Sequence, residues 1–249
     1  MDKIITIRQE TAKNSMTDQG LLCTCDCGKP KFPKTSNRHI KPISEDQTRL
    51  TKILGRRSGI IEKLKLKNKP LRIMEIGVMA GDFAKEMHDN LVIEKMVLID
   101  PFNNNDYMSL NGEMRFTSNT NLQYIKNLFK ENNTVEILPG FSSDILAKYF
   151  LGTSMPEKFD FIYIDSDHQF LNTYNEILYA SQILKSDGII GIDDYTLSLN
   201  DPIFVCEVMQ AVTEFLETNR DWKVIYYSFN DAGLPNIYLS KYFEDEHPQ

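Results

Sequence analysis

The chain has 249 residues and a mass of 28.8 kDa, and 41% of its residues are hydrophobic, enough for one α/β domain with a small appendage. Its formal net charge of −7 argues against general nucleic-acid binding, and no apolar run reaches the roughly 20 residues of a membrane span. The N-terminus also lacks the apolar core of a signal peptide, so we expect a soluble cytoplasmic protein.

The first part of the chain, residues 1–43, shows no sustained hydrophobic period and carries three prolines. We expect an irregular arm that orders against the domain or against a second subunit, which would make a homo-oligomer. Its cysteines, Cys23, Cys25 and Cys27, lie at alternate positions, and this spacing differs from that of zinc sites. His39 offers a fourth ligand, but the spacing favours a flexible thiol segment over a metal site.

Positive charge is concentrated in residues 29–69, which hold thirteen lysine and arginine residues against three acidic ones. This basic segment has a formal charge of +10. Because the whole chain has a net charge of −7, the remaining residues together carry −17. A solvated helix face is the explanation that fits most such runs. An anionic substrate or partner is the alternative that the charge leaves open.

A helix is predicted to begin at Ser44, because an acidic turn follows it and Gln47 is placed for a capping box. Apolar residues at helical spacing extend this helix to about Lys67. Gly55 and Gly59 lie within it and permit a break into two helices.

After this lead-in, short apolar runs alternate with segments of helical period, a pattern typical of parallel βαβ units. The predicted strands are Leu71–Ile76, Met96–Ile99, Val135–Leu138, Phe159–Ile164, Gly188–Ile192, Trp222–Phe229 and Asn236–Leu239. The predicted helices are Asp82–Asn90, Asn119–Glu131, Ser142–Leu151, Tyr174–Leu184 and Asp201–Thr218.

These elements predict an α/β fold with a Rossmann-like, doubly wound sheet of seven strands. The last two strands are joined by a connection of hairpin length, so we expect the last strand to run antiparallel. The chain is thus divided into the arm over 1–43 and one domain over 44–249, with a helical lead-in over 44–69 and a core over 71–240. Residues 102–118 are polar, rich in asparagine and too long for a tight turn, which predicts a mobile lid.

Acidic residues follow two neighbouring predicted strands. Asp165, Asp167 and His168 come after one strand, and Asp193 and Asp194 after the next. Because the carboxyl ends of parallel strands share one edge of the sheet, we expect these side chains to lie close together. A hard divalent cation with oxygen ligands would relieve their repulsion. The alternative, which the pattern leaves open, is a set of ordinary solvated loop acids or helix caps.

A glycine turn follows the first core strand. Gly77 allows a sharp turn and the close approach of a ligand, and Gly81 relieves crowding at the start of the next helix. Glu75 precedes the first glycine, which suits a cationic ligand better than a pyrophosphate, and the GxGxxG fingerprint is absent. Asp100 ends the second strand, where it is placed to accept two hydrogen bonds from ribose hydroxyls.

With these motifs, the chain from about Leu71 to its C-terminus resembles the class I S-adenosylmethionine-dependent methyltransferases. The glycine turn is similar to motif I of that family, and the segment after the third core strand is similar to the one that lines the adenine. The resemblance implies S-adenosylmethionine as the cofactor, bound by Glu75, Gly77, Gly81, Asp100, Ser142 and Ser143.

Within that class, the runs IDSDH and GIIGIDDY resemble the metal-dependent O-methyltransferases of the catechol and the macrocin, sugar-modifying types. The resemblance implies Mg²⁺ held by Asp165, Asp193 and Asp194, and the Asp-Asp pair is closer to the macrocin type. His168 stands where catechol-type relatives have a catalytic lysine, so it is predicted to be the general base beside Asp165. A structural hydrogen bond or a direct metal contact remains an alternative for this histidine.

The sequence therefore predicts a Mg²⁺-dependent O-methyltransferase that acts on a hydroxyl of a small molecule, first a sugar or polyol and second a catechol or phenol. A nucleic-acid methyltransferase is a further hypothesis, motivated by the basic segment, but the Asn/Asp-Pro-Pro-aromatic motif of base methylation is absent. The last hypothesis is a non-catalytic protein that only binds the cofactor. The acceptor and the oligomeric state stay open.

Overall fold

The computed structural model describes residues 42–102, 118–151, 158–196 and 206–242. The arm with its cysteines, most of the predicted lid and the first part of the last predicted helix lie outside these residues. No helix in the described part of the chain is both long and apolar enough to cross a membrane.

Helices and strands alternate along the described chain. Their bounds, in chain order, are α1 (Glu45–Thr48), β1 (Lys52–Arg56), α2 (Gly59–Lys65), β2 (Leu71–Ile76), α3 (Asp82–Asn90), β3 (Ile93–Asp100), α4 (Ser118–Leu128), β4 (Val135–Pro139), α5 (Ser142–Leu151), β5 (Phe159–Ile164), α6 (Phe170–Ile183), β6 (Leu184–Ile192), α7 (Val208–Thr218), β7 (Lys223–Phe229) and β8 (Pro235–Ser240).

The described strands form one mixed sheet in the order β1-β7-β8-β6-β5-β2-β3-β4. β8 runs antiparallel to both of its neighbours, and all other neighbouring strands are parallel. The order reverses between β2 and β5, which is where doubly wound sheets bind ligands. The predicted fold class and the antiparallel last strand are confirmed, but the sheet has eight strands where seven were predicted.

The eighth strand comes from the lead-in, so the helix predicted from Ser44 to about Lys67, with a possible break at Gly55 and Gly59, is wrong in its middle part, and only Glu45–Thr48 and Gly59–Lys65 are helical. Residues Lys52–Arg56 instead extend the sheet in parallel beside β7, with Ile53 opposite Tyr227. Gly55 adopts a φ of 76°, which a helix does not permit. Hydrogen bonding to the edge of β7 outweighs the local helical period, because a strand edge offers unpaired backbone groups.

The capping box predicted at Ser44 does not form in its usual way. The side chain of Gln47 is buried and donates hydrogen bonds to the carbonyl oxygens of Leu216 and Trp222, over 3.0 and 3.1 Å. The Ser44 hydroxyl donates to Gln47 Oε1 over 2.7 Å. Gln47 thus joins the lead-in to the end of α7 and the residue before β7, a long-range role that no local motif predicts.

Several further boundaries differ from the prediction: β3, α6 and β6 begin three or four residues earlier than predicted, and α4 ends three residues earlier. α6 ends at Ile183 and β6 begins at Leu184 without a turn between them, although Leu184 was assigned to the helix. The last helix begins at Val208, and Cys206 and Glu207 before it are not helical, so the predicted helix is wrong at these two residues; its predicted start at Asp201 lies outside the described residues.

Apolar side chains cover both faces of the sheet, as parallel strands with helices on either side require. The central strand β5 is buried along its whole length. One layer places Met74, Ile162 and Ile190 against α6 and α7, and the other places Ile73 and Phe161 with the residues of α2 and α3. The sheet is therefore a rigid base for the loops at the carboxyl ends of its strands.

Candidate cofactor and metal site

The glycine turn after β2 lies directly against the loop that follows β5. Gly77 has a φ of 83°, and a Cβ atom on it would lie 1.8 Å from the carbonyl oxygen of Asp165. Its sharp turn was predicted, but the close approach at this position is to the neighbouring loop. Gly81 has a φ of 76°, and a Cβ there would lie 2.6 Å from Cδ1 of Ile125, in agreement with the predicted crowding at the helix start.

Asp100 organises this turn. One of its carboxylate oxygens accepts hydrogen bonds from the amides of Val78 and Met79, over 2.9 and 3.1 Å. The other oxygen accepts one from the amide of Phe102 over 2.6 Å. These bonds use three of about four acceptor positions of a carboxylate. The predicted contact with ribose hydroxyls stays a prediction. With three amides bonded to it, the Asp100 carboxylate has about one acceptor position left, enough for one of the two predicted hydrogen bonds.

Glu75 is buried in β2, and its Oε2 atom finds no hydrogen-bond partner among the described residues. Burial, reinforced by the negative charge of Asp165, raises the pKa of this carboxyl well above its usual range. An unpartnered buried carboxyl oxygen is costly unless a donor reaches it. A cationic group of a ligand would supply such a donor, which is what the sequence predicted for this position.

A cavity of about 340 Å³ opens between the glycine turn and the loops after β4 and β5, at the lower end of the usual range for ligand pockets. It brings together residues that are far apart in sequence. The predicted site residues that line it are Gly77, Asp100, Ser142, Ser143, Asp165 and His168.

Glu176 also lines this cavity and was missed in the sequence. Its two carboxyl oxygens accept hydrogen bonds from the hydroxyls of Ser142, over 2.5 Å, and Ser166, over 2.6 Å. Burial raises its pKa from 4.5 to about 7. The sequence did contain an indication of this residue, because Thr173, Glu176 and Ala180 fall on the apolar, buried face of α6. A glutamate is rarely buried unless it has a polar partner or a functional role there.

The acidic residues after β5 and β6 come together as predicted. Ligand atoms of Asp165, His168 and Asp193 all lie within 4.8 Å of one another. Asp194 is adjacent, with its Oδ2 atom 4.0 Å from His168 Nε2. Burial raises the pKa of Asp165 to about 6, and burial with the charge of Asp193 raises that of Asp194. The cluster therefore carries more negative charge than it readily holds.

His168 adopts a φ of 59°, in the left-handed region, which directs its ring back toward the end of β5. Its Nε2 atom lies 3.3 Å from Asp165 Oδ1. Burial acts to lower the pKa of His168, but the hydrogen bond and the charge of Asp165 outweigh it, so the pKa is raised. This geometry is compatible with a proton acceptor and with a metal ligand.

Asp167 takes a separate role. Its carboxylate accepts hydrogen bonds from the amide of Gln169, over 3.1 Å, and from the side chain of Asn172. It therefore ties the turn just before α6 to the first turn of that helix.

Two neutral side chains hold the acidic pair and were also missed. The Tyr163 hydroxyl donates to Asp193 Oδ1 over 2.8 Å. The Asn230 amide donates to Asp194 Oδ1 over 2.9 Å and lies 3.5 Å from Asp193 Oδ2. Both come from strands or turns that are remote in sequence, so no local pattern indicates them.

Arg57 is the fourth missed residue. The amide of Arg57 donates to the carbonyl of Phe229 over 2.9 Å, which fixes the turn after β1 beside β7. Its guanidinium lies 4.5 Å above the ring of Phe83 and 4.0 Å from Asp165 Oδ2. Burial acts to lower the pKa of Arg57, but Tyr163 and the carboxylates raise it, so the group stays charged. One residue of the basic segment thus contacts the acidic cluster.

Comparison with known families agrees with this geometry. Residues 74–195 match a family described as a methyltransferase domain. The matched range extends from β2, before the glycine turn, to the residue after the Asp193–Asp194 pair.

Solved structures with the same fold include two O-methyltransferases. The enzyme from Bacillus cereus in complex with SAH aligns with a TM-score of 0.51 and 18% identity, over 72% of this chain and 77% of that chain. TomG from Streptomyces achromogenes, involved in tomaymycin synthesis and solved with SAM, aligns with a TM-score of 0.53 and 17% identity, over 72% and 76%. At such identities the likeness establishes the fold.

Among protein sequences, an uncharacterised protein of Acanthamoeba polyphaga mimivirus is 28% identical over 170 residues. The alignment covers 67% of this chain and 69% of that protein.

Proposed function

We propose that the chain is an S-adenosylmethionine-dependent methyltransferase that methylates a hydroxyl oxygen of a small molecule with the help of Mg²⁺, which the methyltransferase-domain match and the shared fold support. The observation that carries this proposal is the position of Asp165. Its backbone contacts the glycine turn of the cofactor pocket, and its side chain belongs to the cluster with His168 and Asp193. A methyl donor and a cation would therefore lie side by side.

The residues present fit the cofactor. Asp100 and Ser143 line the cavity. Glu75 does not line it, but its unpartnered buried oxygen lies in β2, just before the glycine turn that does. Bound S-adenosylmethionine supplies an electrophilic methyl group on its sulfonium. The role of Glu176 would be to hold Ser142 and Ser166 in the wall of the cavity, since both hydroxyls are bonded to it.

The residues also fit a hard divalent cation. Carboxylate oxygens are its preferred ligands, and a local excess of negative charge favours it. Asp165 and Asp193 would hold the ion, with Asp194 or His168 completing the set from the protein. A bound Mg²⁺ lowers the pKa of a neighbouring substrate hydroxyl.

Within this arrangement, His168 would take the hydroxyl proton at Nε2. Asp165 Oδ1, 3.3 Å away, would stabilise the imidazolium that results. Loss of this proton would leave the substrate oxygen free to accept the methyl group that bound S-adenosylmethionine would supply, with the thioether as the leaving group. Tyr163 and Asn230 would keep Asp193 and Asp194 oriented throughout, because each donates a hydrogen bond to this pair.

The proposed acceptor is a sugar or another polyol. Two features favour it over a phenol: the second acidic group is Asp193–Asp194 rather than Asp-Asn, and a histidine stands at 168 where phenol-modifying relatives carry lysine. A polyol hydroxyl is less acidic than a phenol, so its ionisation depends more strongly on a nearby cation and base.

The test is methyl transfer from labelled S-adenosylmethionine to a panel of glycosides, polyols and catechols, with Mg²⁺ and with a chelator. We expect transfer to a polyol that the chelator abolishes. Asp193→Ala should remove this activity while calorimetry shows cofactor affinity within about threefold of the parent, since Asp193 belongs to the cation cluster.

The matched control is Asp231→Ala, which removes an exposed acid from the turn between β7 and β8. Full activity in chelator would refute the metal dependence. Exclusive methylation of catechols would refute the polyol assignment and leave the methyltransferase assignment in place.

A further inference from the structure

A second cavity, of about 380 Å³, lies on the α2 side of the sheet, and methyl transfer makes no use of it. Four lysines line it, and all four belong to the basic segment over 29–69. They come from β1, from α2 and from the loop after α2, and are Lys52, Lys63, Lys67 and Lys69.

This lysine cavity is far from the proposed active site. It includes Asp187 and Ile189, near the start of β6, whereas Asp193 follows the end of the same strand. Six residues separate Asp187 from Asp193, which corresponds to roughly 20 Å along an extended chain. A ligand in the lysine cavity would therefore not touch the cofactor pocket.

Positive charge exceeds negative charge in the lining of the cavity. Lys67 Nζ donates to both the carbonyl and the carboxylate of Asp187 over 2.7 Å, and Lys69 Nζ lies 3.8 Å from the same carboxylate. Lys69 also contacts the buried Asp160 over 3.0 Å. These contacts fix two of the ammonium groups, and Asp187 is the only acid among the described residues that line the cavity.

Apolar and aromatic groups complete the wall. Ile189 and Ile225 project from β6 and β7, and Leu66, 75% exposed, extends from the end of α2. The ammonium of Lys63 lies 5.9 Å from the centroid of the Tyr226 ring. The cavity thus presents several cations beside an apolar surface, in a volume suited to a small molecule.

We propose that the lysine cavity binds a small phosphate-bearing molecule with an organic body, of the size and chemistry of a nucleoside phosphate. A phosphate group presents several strong acceptor oxygens and a charge that more than one ammonium group can share. The body of the ligand would lie against Ile189, Ile225 and Tyr226. The basic segment would then have a ligand-binding role, in line with the anionic partner that its charge left open.

Calorimetric titration with uridine 5′-diphosphate tests the proposal, with uridine and inorganic pyrophosphate as reference probes. A uracil base is chosen so that the probe does not mimic the adenine of the cofactor. We expect the diphosphate to bind more tightly than either reference, and its affinity to fall as salt is raised. Saturation with S-adenosylhomocysteine should leave this affinity unchanged, which separates the site from the proposed active site.

The variant Lys52→Gln/Lys63→Gln should weaken binding of uridine 5′-diphosphate by about tenfold or more, the loss of roughly one charged contact. Lys126→Gln/Lys130→Gln, with the same charge change on and just after α4, should bind as the parent does. Methyl transfer should persist in both variants.

Three acidic residues, Glu244 to Glu246, follow the cavity residue Tyr242 closely in the sequence, so the titration is repeated on E244Q/D245N/E246Q. The proposal would be overturned if uridine 5′-diphosphate at about 1 mM bound neither this variant nor the parent. A dissociation constant of about 1 mM is on the order of the weakest affinity that matters for a metabolite. Competition by S-adenosylhomocysteine, or equal weakening in the control variant, would overturn it as well.

Discussion

The hydroxyl of Tyr163 donates a hydrogen bond to Asp193 Oδ1 over 2.8 Å, and both side chains are buried. The bond joins the inside of β5 to the acidic end of β6. Because the Tyr163 ring packs 4.6 Å from that of Phe83, the hydroxyl has little freedom to turn elsewhere. Asp193 is therefore held in one orientation before any cation arrives.

Removing this hydroxyl should weaken the binding of Mg²⁺. We expect Tyr163→Phe to raise the Mg²⁺ concentration for half-maximal methyl transfer about tenfold, because groups that orient metal ligands typically contribute tenfold or more to affinity. The ring stays in place, but the buried Asp193 oxygen loses its donor, so the free energy of unfolding should fall by about 1 to 3 kcal/mol. The control Tyr242→Phe removes a hydroxyl from an exposed residue just after β8, away from the acidic cluster, and should change neither quantity. An unchanged Mg²⁺ requirement in Tyr163→Phe would contradict the metal assignment of Asp193.

His168→Asn separates the two chemical roles of the histidine. Asparagine tolerates the left-handed backbone at this position, so the loop should keep its conformation. If His168 accepts the proton, kcat should fall about a hundredfold or more, while the Mg²⁺ requirement changes by less than about threefold. A large rise in the Mg²⁺ requirement would instead identify the imidazole as a metal ligand.

Gly77→Ala should destabilise the protein far more than the same change at a comparable glycine. The new Cβ would meet the carbonyl oxygen of Asp165, so the backbone must move, at a cost of about 3 kcal/mol or more. Gly233 has a similar φ of 80°, but among the described residues a Cβ atom on it would meet no atom within 4 Å beyond its two chain neighbours, so Gly233→Ala should cost only about 1 kcal/mol. Urea unfolding measures both. Equal losses in the two variants would show that backbone conformation alone explains Gly77.

The buried carboxyl of Glu176 should make stability depend on pH. Its pKa rises from 4.5 to about 7 on folding, so the folded protein keeps the proton over a range in which the unfolded chain has lost it. Stability from this group is therefore present below about pH 4.5 and is lost as the pH rises toward 7 and above. The full difference corresponds to about 3 kcal/mol.

Glu176→Gln keeps the shape of the side chain and removes the titration. The free energy of unfolding of Glu176→Gln, minus that of the parent, should increase between pH 5 and pH 8 by an amount on the order of 3 kcal/mol. Urea unfolding at both pH values is the measurement. A constant difference between the two proteins would mean that Glu176 does not change its protonation in this range.

The predictable part of the site is the part that follows from strand order. Once β2, β5 and β6 are recognised as parallel strands, the residues just after them must share one edge of the sheet. Asp165 after β5 and Asp193 after β6 are therefore brought together by the fold, and Gly77 follows β2 at the same edge. The gathering of these residues, and of Asp100 after β3, was expected from the sequence and is what the structure contains.

The side chains that hold these groups were not predictable in the same way. Tyr163 and Asn230 reach the acidic pair from elements whose relative position depends on the packing of the whole sheet. Arg57 reaches Asp165 because its segment joins the edge of β7, where long-range hydrogen bonding outweighs the local helical period. Glu176 is the exception, since a glutamate on the apolar face of α6 could have been noticed.

The sequence by itself thus determined the class of fold, the antiparallel last strand and the set of acidic and glycine residues at the carboxyl edge, because short-range periodicity and strand direction decide these. Only the tertiary structure decided the eighth strand, the contact of Arg57 with the acidic cluster and the lysine cavity at the other end of the sheet. Each of these depends on segments distant in sequence that meet across the sheet. The free energy of such contacts comes from pairing and burial, which no local pattern records.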